Sequence, residues 1–407
     1  MTNFVTHLEC ANCGQKYDPA QVHNLCTACN RPLWVKYDLA ALKKAFPKEK
    51  LKDRPANLWR YLEMLPIKDP IRIVSLEETV SPLLETKRLG AAFGVQSLFV
   101  KDESRLPTGS FKARGMAMAI SKANEFGIKR VAVPTAGNAG GAMAAYSARA
   151  GMEAYVFMPE DTPATNKKEC YLSGAKTFLV NGLITDCGRI VGEGRKPKGW
   201  FDVSTLKEPY RIEGKKTMGL ELAEQLGWEL PDVILYPTGG GTGLIGMWKA
   251  FAELEALGWL KSAKKPKMIS CQSEGCAPIA VAFSKGERFA PKFENAATIA
   301  SGIRVPAAVG DFMILDAVRQ SGGVALATPE ADIPKWMRLG ASTEGIALCP
   351  ETAVCLGALE VLLKNGTIRP TDRIVIFNTG AAHKYPEAVH EELARVDIRQ
   401  PIDWEKI

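Results

Sequence analysis

The chain has 407 residues, enough for two sizeable domains and a smaller module. Its hydrophobic content of 46% and charged content of 24% are those of an ordinary globular protein, and no apolar run of the sequence is long enough to span a membrane. The formal net charge of +7 suits an anionic substrate, but the basic residues are dispersed, so charge alone indicates no nucleic-acid partner. Because the first residues lack the basic and apolar segments of a secretion signal, we expect a cytoplasmic protein.

Four cysteines near the N-terminus have the spacing of a zinc site. Cys10, Cys13, Cys26 and Cys29 read Cys-x2-Cys-x12-Cys-x2-Cys, so their thiolates can converge on one tetrahedral ion. A disulfide pair is the alternative, but the remaining cysteines lack the spacing of a disulfide framework. Four thiolates leave zinc no open position, so we predict a structural zinc ribbon over residues 1–38. The segment between the cysteine pairs carries one lysine and one aspartate, which is a poor surface for nucleic acid.

The rest of the chain alternates between two kinds of pattern. Residues 39–70 are amphipathic and helical, with prolines closing each piece, and look like connector or dimer-packing material. Strand-like and helical runs then alternate, interrupted by the polar stretch 192–199. The predicted strands are 97–100, 130–133, 154–157, 177–180, 233–236, 268–271 and 373–377, and the helices between them include 142–150 and 215–226. Such alternation indicates an α/β fold with a parallel sheet covered on both faces.

One lysine stands out in the segment 101–115, which reads KDESRLPTGSFKARG. A Pro-Thr-Gly turn leads to Ser110, a predicted N-cap, and this places Lys112 in the first turn of a helix. Positive charge there opposes the helix dipole, which favours the neutral amine that Schiff-base chemistry requires. Taken alone, this residue could equally be an ordinary surface lysine.

Three further motifs follow strand-like runs: PTAGNAGG at 134–141, PTGGGTG at 237–243 and NTGAAHKYP at 378–386. Each should lie at the C-terminal end of a strand, where open parallel sheets bind ligands. The glycines of the second motif let backbone N–H groups close on a phosphate, and the following helix favours the anion. Gly241, Gly243 and Gly246 also spell G-x-G-x-x-G, with Glu274 after the next strand, so an NAD-dependent oxidoreductase is a distant alternative.

In order and content, these motifs resemble the fold type II pyridoxal-phosphate enzymes of the tryptophan synthase β superfamily, and most of all the threonine synthase family. The resemblance extends over about residues 79–385. It implies two parallel-sheet α/β domains with the cofactor between them, beside the small N-terminal zinc ribbon. The large cofactor domain would comprise 39–124 and 203–407, and the small mobile domain 125–202. The resemblance further implies a homodimer acting on a small anionic amino acid, with no nucleic-acid or membrane partner.

The resemblance also assigns the site residues. Lys112 would be catalytic and carry pyridoxal 5'-phosphate. The cofactor phosphate would lie on Thr238, Gly239, Gly240, Gly241 and Thr242, the ring hydroxyl against Asn138, and the ring nitrogen against Thr379. The substrate would be bound by Thr135, Gly137 and Arg211, the last gripping its phosphate. Asn138 could instead be a helix N-cap, and Thr379 a turn residue.

The sequence departs from the family pattern at the predicted substrate site. Ala136 and Ala139 stand where hydroxyls are more usual, Leu206 stands at a usually polar position, and Glu208 replaces an asparagine three residues before Arg211. That carboxylate can pair with the arginine, or it can mean that the leaving group is not phosphate.

We therefore expect a threonine synthase, which converts O-phospho-L-homoserine and water to L-threonine and phosphate. A serine or threonine dehydratase, and an O-phosphoserine β-replacing enzyme such as a cysteate synthase, remain as alternatives. From a different class, a zinc-ribbon nucleic-acid-binding protein would need no pyridoxal phosphate.

Overall fold

The computed structural model describes residues 4–389 and 393–407. Its strands are β1 (Val5–Cys10), β2 (Lys16–Tyr17), β3 (Leu33–Tyr37), β4 (Leu83–Glu85), β5 (Ser97–Asp102), β6 (Arg130–Pro134), β7 (Glu153–Pro159), β8 (Lys176–Val180), β9 (Phe201–Asp202), β10 (Val233–Pro237), β11 (Lys267–Ser273), β12 (Ala325–Thr328) and β13 (Arg373–Asn378).

The helices are α1 (Leu39–Ala45), α2 (Lys87–Phe93), α3 (Lys112–Glu125), α4 (Asn138–Arg149), α5 (Ala164–Leu172), α6 (Ile184–Lys198), α7 (Tyr210–Gln225), α8 (Thr242–Leu257), α9 (Pro278–Ser284), α10 (Asp311–Gln320), α11 (Ile333–Glu344) and α12 (Pro350–Lys364). None of the helices in the described ranges is long and apolar enough to cross a membrane.

The strands form three sheets. The first is antiparallel, with order β2-β1-β3, and belongs to the N-terminal ribbon. The second has order β12-β11-β10-β13-β5-β4 and is parallel except for the edge strand β4. The third has order β8-β7-β6-β9 and is wholly parallel. The predicted α/β fold with parallel sheets is confirmed, and each of the seven predicted strands is present.

The segment after the ribbon is less helical than predicted. Only α1 is an α-helix, capped by the Asp38 side chain, which accepts from the backbone N–H of Ala41 at 2.9 Å. The rest consists of short 3-10 helices, Lys48–Asp53 and Leu58–Met64. Closely spaced prolines lack the N–H that a longer α-helix needs, so the amphipathic pattern is realised in single turns.

The prediction that the stretch 192–199 interrupts the alternation of strands and helices is wrong. This stretch forms the end of α6. Pro197 lies in the last turn, where its missing N–H affects one hydrogen bond only, and Gly199 ends the helix in the left-handed conformation with φ 64°. Gly194 is needed for packing, since a Cβ there would lie 2.0 Å from the ring of Trp200.

Helix α7 is buried between α3 and α8 and fixes the start of α3. A buried ion-pair network joins them: the Arg114 guanidinium on α3 donates to Glu103 at 2.6 Å and to Glu221 on α7 at 2.9 Å. Lys101, at the end of β5, also pairs with Glu221. Arg114, Lys101 and both carboxylates are almost fully buried, so each charge depends on its partners. The network therefore holds the start of α3 in place.

Candidate active site

A cavity of about 360 Å³ lies where the C-terminal ends of β6, β10 and β13 meet the start of α3. It is the meeting point of all four motifs found in the sequence. The predicted site residues that line it are Lys112, Thr135, Gly137, Asn138, Gly239, Gly240, Gly241, Thr242 and Thr379. Thr238 and Arg211 lie behind its wall and are not among the lining residues.

Lys112 is the first residue of α3, but the predicted cap is wrong by one position. Phe111 is the N-cap, whereas Ser110 is extended and pairs with Gly380 after β13. The backbone N–H of Phe111 donates to the carbonyl of Thr379 at 3.1 Å. These contacts, made by residues far apart in sequence, override the local capping preference of serine and hold Lys112 beside Thr379.

The Lys112 amine is poised between its two protonation states. Burial, reinforced by the neighbouring Arg211 guanidinium and opposed by the Glu351 carboxylate, lowers the pKa of Lys112 to about 7. The predicted neutral amine is therefore accessible near neutral pH, and desolvation is the main cause. A lysine in this state can act as a nucleophile or exchange a proton.

The glycine loop before α8 forms an anion cradle that larger residues cannot replace. A Cβ at Gly239 would lie 2.9 Å from Ile303, and one at Gly240 would lie 2.7 Å from Thr205. Gly241 caps α8 in the left-handed region, with φ 69°. The free N–H groups of the sixteen-residue helix α8 begin at this point, which suits a phosphate. Gly243 and Gly246 instead pack α8 against β10 and α7, which accounts for the G-x-G-x-x-G pattern without a dinucleotide.

Thr238 supports this cradle from behind. Its hydroxyl donates to the carbonyl of Tyr236 at 2.9 Å, and its backbone N–H donates to the carbonyl of Cys271 at 2.8 Å. Its own carbonyl accepts from the Gln272 amide at 2.9 Å. The residue is thus fully engaged with strands β10 and β11.

Asn138 begins α4 and lines the cavity, and its side-chain amide is hydrogen-bonded on both sides. Its Nδ2 donates to the hydroxyl of Tyr385 at 2.8 Å, and its Oδ1 accepts from Asn166 at 3.0 Å. The turn before it is held by Thr135, whose hydroxyl oxygen accepts from the N–H of Gly137 at 3.0 Å. Asn138 is therefore not the N-cap, since Gly137 occupies that position.

Thr379 follows β13 and lines the cavity. Its backbone N–H donates to the Thr352 hydroxyl at 3.1 Å, and its own hydroxyl lies 3.7 Å from the sulfur of Cys349. Burial raises the pKa of Cys349 to about 12, so that residue stays a neutral thiol. The threonine hydroxyl thus faces a neutral thiol and can donate or accept a hydrogen bond.

Glu351 and Tyr385 are among the cavity residues that were not predicted as site residues. Glu351 is 3% exposed, lies in the first turn of α12 and accepts from the N–H of Gly302 at 2.7 Å. In the sequence it reads as an ordinary acidic residue after Pro350. Tyr385 was part of a quoted motif, but only the fold brings its hydroxyl to Asn138.

Arg211 lies in the first turn of α7 and is 1% exposed. Its guanidinium donates to the carbonyl of Val203 at 2.8 Å. Glu208 does not hydrogen-bond that guanidinium, because its carboxylate accepts the backbone N–H groups of Tyr210 at 2.7 Å and Arg211 at 3.0 Å. Burial raises the pKa of Glu208 to about 7. The unusual acid is thus a capping group for α7.

These residues fit pyridoxal phosphate. The cavity offers a lysine amine, a phosphate cradle, a side-chain amide and a hydroxyl, the four groups that the cofactor requires. In addition, the Ser301 hydroxyl on the cavity wall is buried and has no hydrogen-bond partner among the described residues, as expected where a ligand completes the site.

The four ribbon cysteines fit a structural zinc ion. Their sulfur atoms all lie within 4.8 Å of one another, and three of the pairs are separated by 3.4, 3.5 and 3.6 Å. Thiolates bound tetrahedrally to zinc would be about 3.8 Å apart, from a Zn–S distance of about 2.3 Å. All ten cysteines of the chain are free thiols, so the disulfide alternative is not realised.

The fold and cavity define a pyridoxal-phosphate enzyme of fold type II, and the comparisons agree. The model of the pyridoxal-phosphate dependent enzyme family matches residues 74–380. Within it, the chain belongs to the threonine synthase family. It is 37% identical to the threonine synthase of Methanocaldococcus jannaschii, covering 93% of both chains. It is 34% identical to that of Methanosarcina acetivorans, covering 94% of this chain and 93% of the relative.

Solved structures of other enzymes share the fold. A threonine deaminase from Solanum lycopersicum superposes with a TM-score of 0.64 at 24% identity, covering 82% of this chain and 95% of that one. A maize serine racemase gives 0.63 at 22% identity, covering 74% and 88%. These identities establish the fold alone. The resemblance stated from the motifs is confirmed, and the oxidoreductase alternative finds no support.

Proposed function

We propose that the protein is a threonine synthase that converts O-phospho-L-homoserine and water to L-threonine and phosphate. The observation that carries the proposal is the Lys112 amine, with a pKa of about 7, in the cavity where the glycine cradle and the other motifs meet. Relatives that bear this activity in their names cover nearly the whole chain.

Each predicted site residue has a proposed role. Bound pyridoxal phosphate supplies an aldehyde for the lysine and a ring that stabilises negative charge on the substrate. The Asn138 side chain orients the cofactor ring by contacting the ring hydroxyl, and the Thr379 hydroxyl contacts the ring nitrogen. The residues that hold the cofactor phosphate are Gly239, Gly240, Gly241 and Thr242, with Thr238 bracing them.

The substrate is held by the opposite wall. The turn at Thr135 and Gly137, which the Thr135 hydroxyl braces by accepting the Gly137 N–H, directs the backbone N–H groups that follow it, at Asn138 and Ala139, to the substrate carboxylate. Arg211 contributes positive charge toward the substrate phosphate, and the same charge lowers the pKa of Lys112. Once substrate is bound, Lys112 Nζ accepts and returns protons on the substrate carbons, a task for which a pKa near neutrality is suited. A hydroxyl at Thr379 cannot fix a ring charge as a carboxylate would, which favours elimination and replacement over transamination.

The test combines cofactor trapping with turnover. The purified holoenzyme should show the absorbance of a cofactor bound to an amine, and borohydride should fix the cofactor to Lys112. Phosphate should be released from O-phospho-L-homoserine and L-threonine should form. Lys112→Ala should abolish both results, whereas Lys129→Ala, at an exposed position after α3, should leave them unchanged.

The same assay separates the alternatives. O-phosphohomoserine, O-phosphoserine, serine and threonine are compared while phosphate and keto acid are both monitored. Keto acid from threonine, without phosphate from either ester, would show a dehydratase and refute the synthase. Phosphate release from O-phosphoserine alone would show a β-replacing enzyme.

The proposal extends to organisation. The small mobile domain is proposed to comprise 125–202, where the strands of the third sheet lie, and the large domain 39–124 and 203–407. We also propose a cytoplasmic homodimer, which the free thiols of the buried cysteines suit. Light scattering on the holoenzyme gives the subunit number directly.

A further inference from the structure

The cavity has more positive charge than the cofactor requires. Its cationic lining residues are Lys112, Arg189, Lys207 and Arg304, and within the described part of the chain the carboxylate among the lining residues is Glu351. Lys112 is committed to the cofactor. Arg304 is neutralised by Asp161 through two hydrogen bonds of 2.7 Å each. Two cations, Lys207 and Arg189, therefore remain for another anion.

We propose that Lys207, with Arg189 at the rim, forms the subsite that contacts the phosphate of the amino-acid substrate. This inference deepens the proposed function and rests on it. It assigns direct contact with the phosphate to residues that neither the motifs nor the family pattern indicated.

The Lys207 ammonium is available for a ligand. Its Nζ lies 3.4 Å from the carbonyl oxygen of Gly188 and 4.0 Å from the Asp202 carboxylate, both at the limit of an effective contact. The other oxygen of Asp202 accepts from the N–H of Ser204 at 2.9 Å. The lysine side chain is 27% exposed, so it is partly desolvated yet still open to the cavity. Its donors can turn to a phosphate without losing a strong bond.

Arg189 is similarly free to move. Its guanidinium pairs with Glu193 one turn further along α6 at 3.1 Å, and both side chains are more than half exposed. Such exposed pairs are weak and readily exchanged for a doubly charged ligand. A guanidinium can then contact two phosphate oxygens at once.

The position of the segment 204–207 allows two phosphates to be bound together. Thr205 packs against Gly240 of the cofactor cradle, because a Cβ at that glycine would lie 2.7 Å from the threonine methyl group. Lys207, two residues on, reaches α6 at Gly188, where a Cβ would lie 3.8 Å from the lysine Nζ. The segment thus runs from the cradle to α6, which separates the second anion from the first.

Arg211 acts differently from Lys207. It is almost fully buried, is bonded to the carbonyl of Val203 and lies outside the cavity lining. It contributes to the positive potential through the protein interior, whereas Lys207 offers donors on the cavity side. The two roles predict different results on substitution.

The experiment uses holoenzyme variants Lys207→Gln, Lys207→Arg and Arg189→Gln, with Lys198→Gln as the matched control. Lys198 ends α6 outside the cavity, so its loss changes the net charge equally without touching the subsite. Three quantities are measured: the KM for O-phospho-L-homoserine, the dissociation constant of inorganic phosphate, and the dissociation constant of L-threonine from the absorbance change of the bound cofactor.

Lys207→Gln should raise the KM for O-phosphohomoserine and the dissociation constant of inorganic phosphate by about 10- to 100-fold, as expected for a lost hydrogen bond to a charged group. L-Threonine, which has no phosphate, should bind within about twofold of the wild type. Lys207→Arg should restore most of the phosphate affinity, and Arg189→Gln should have a smaller effect of the same kind. If Lys207 had only a structural role, its substitution would weaken the binding of all three ligands together.

Unchanged phosphate affinity in Lys207→Gln would overturn the inference, as would equal loss for L-threonine. If the wild type binds inorganic phosphate through Lys207 but does not turn over O-phosphohomoserine, the subsite stands and the proposed function fails. If the Lys207→Gln variant turns over O-phosphohomoserine as the wild type does, the proposed function stands and the subsite fails.

Discussion

The chemistry of single residues is set by what surrounds them, and Lys112 shows this most directly. Only the neutral amine attacks an aldehyde, so capture of pyridoxal phosphate by the apoenzyme should rise with pH and level off above a midpoint near 7, well below the 10.5 of an ordinary lysine. The neighbouring charges predict the direction of two shifts. Arg211→Gln removes a cation and should raise the midpoint, whereas Glu351→Gln removes an anion and should lower it.

Stopped-flow absorbance across the pH range gives these midpoints. Glu351→Gln keeps the size of the side chain, Arg211→Gln shortens it, and the two expected shifts have opposite signs. A general disturbance of the cavity would move both midpoints in the same direction. That result would mean that the charges at Arg211 and Glu351 do not control the amine.

Whether the sequence could predict a site residue depends on whether its role is set by a local motif or by tertiary contacts. Lys112, Asn138 and the glycines lie in short motifs whose local conformation is part of their function, so their spacing reveals them. Glu351 reaches the cavity from a segment without such a motif, and Lys207 lies between Leu206 and Glu208, where the sequence departs from the family pattern. Their role depends on tertiary contacts, and a helix start or a charged loop position looks the same in any protein.

At the level of elements, close helix packing makes one glycine on α7 indispensable. A Cβ at Gly214 would lie 2.0 Å from the backbone carbonyl oxygen of Arg114 on α3, which cannot move without disturbing the buried ion pairs. Gly214→Ala should therefore lower the free energy of unfolding by about 1–3 kcal/mol. Chemical denaturation followed by fluorescence measures the change.

Gly192→Ala is the matched control for that prediction. Gly192 lies inside α6, and nothing lies within 4 Å of a Cβ built there. Alanine at this position should raise the free energy of unfolding by about 0.5–1 kcal/mol, since it restricts the unfolded chain. Stabilisation by both substitutions would show that helix propensity, and not the α3–α7 contact, decides the effect at Gly214.

The elements themselves were predictable where their pattern was long. Strands β5, β7 and β10 were found because they are continuous apolar runs typical of buried parallel strands. Strands β4 and β9 have three and two residues, too few for any periodicity to register. They exist because neighbouring strands offer free hydrogen-bonding edges, which is a property of the assembled sheet.

On the scale of the whole molecule, the ribbon connects both parallel-sheet regions. Asn24 donates to the carbonyl of Asp202 at 2.9 Å and to that of Lys207 at 2.8 Å, one before and one within the segment 204–207. Arg31 stacks on Phe289 at 4.7 Å and lies 3.6 Å from Asp311, beside the second sheet. The Cys-x2-Cys spacing predicted the ribbon, but nothing local to it indicated this contact with the cavity wall.

The ribbon should therefore support substrate binding from outside the cavity. Asn24→Ala removes two hydrogen bonds that hold the segment carrying Lys207, so the KM for O-phosphohomoserine should rise by up to about 30-fold, from about 1 kcal/mol per bond. The cofactor absorbance and kcat should change little, because the cradle and Lys112 are untouched. Gln21→Ala, at an exposed ribbon position, is the control and should leave the KM as it is.

Zinc removal tests whether the metal acts through the same contact. A chelator should raise the KM of the wild type by an amount close to that of Asn24→Ala, because an unfolded ribbon no longer presents the asparagine. In the Asn24→Ala protein, chelation should add little further, since the contact is already lost. If the effects of chelation and of Asn24→Ala on the KM multiply fully, zinc and Asn24 influence the cavity independently. Zinc would then stabilise the ribbon without acting on substrate binding through Asn24.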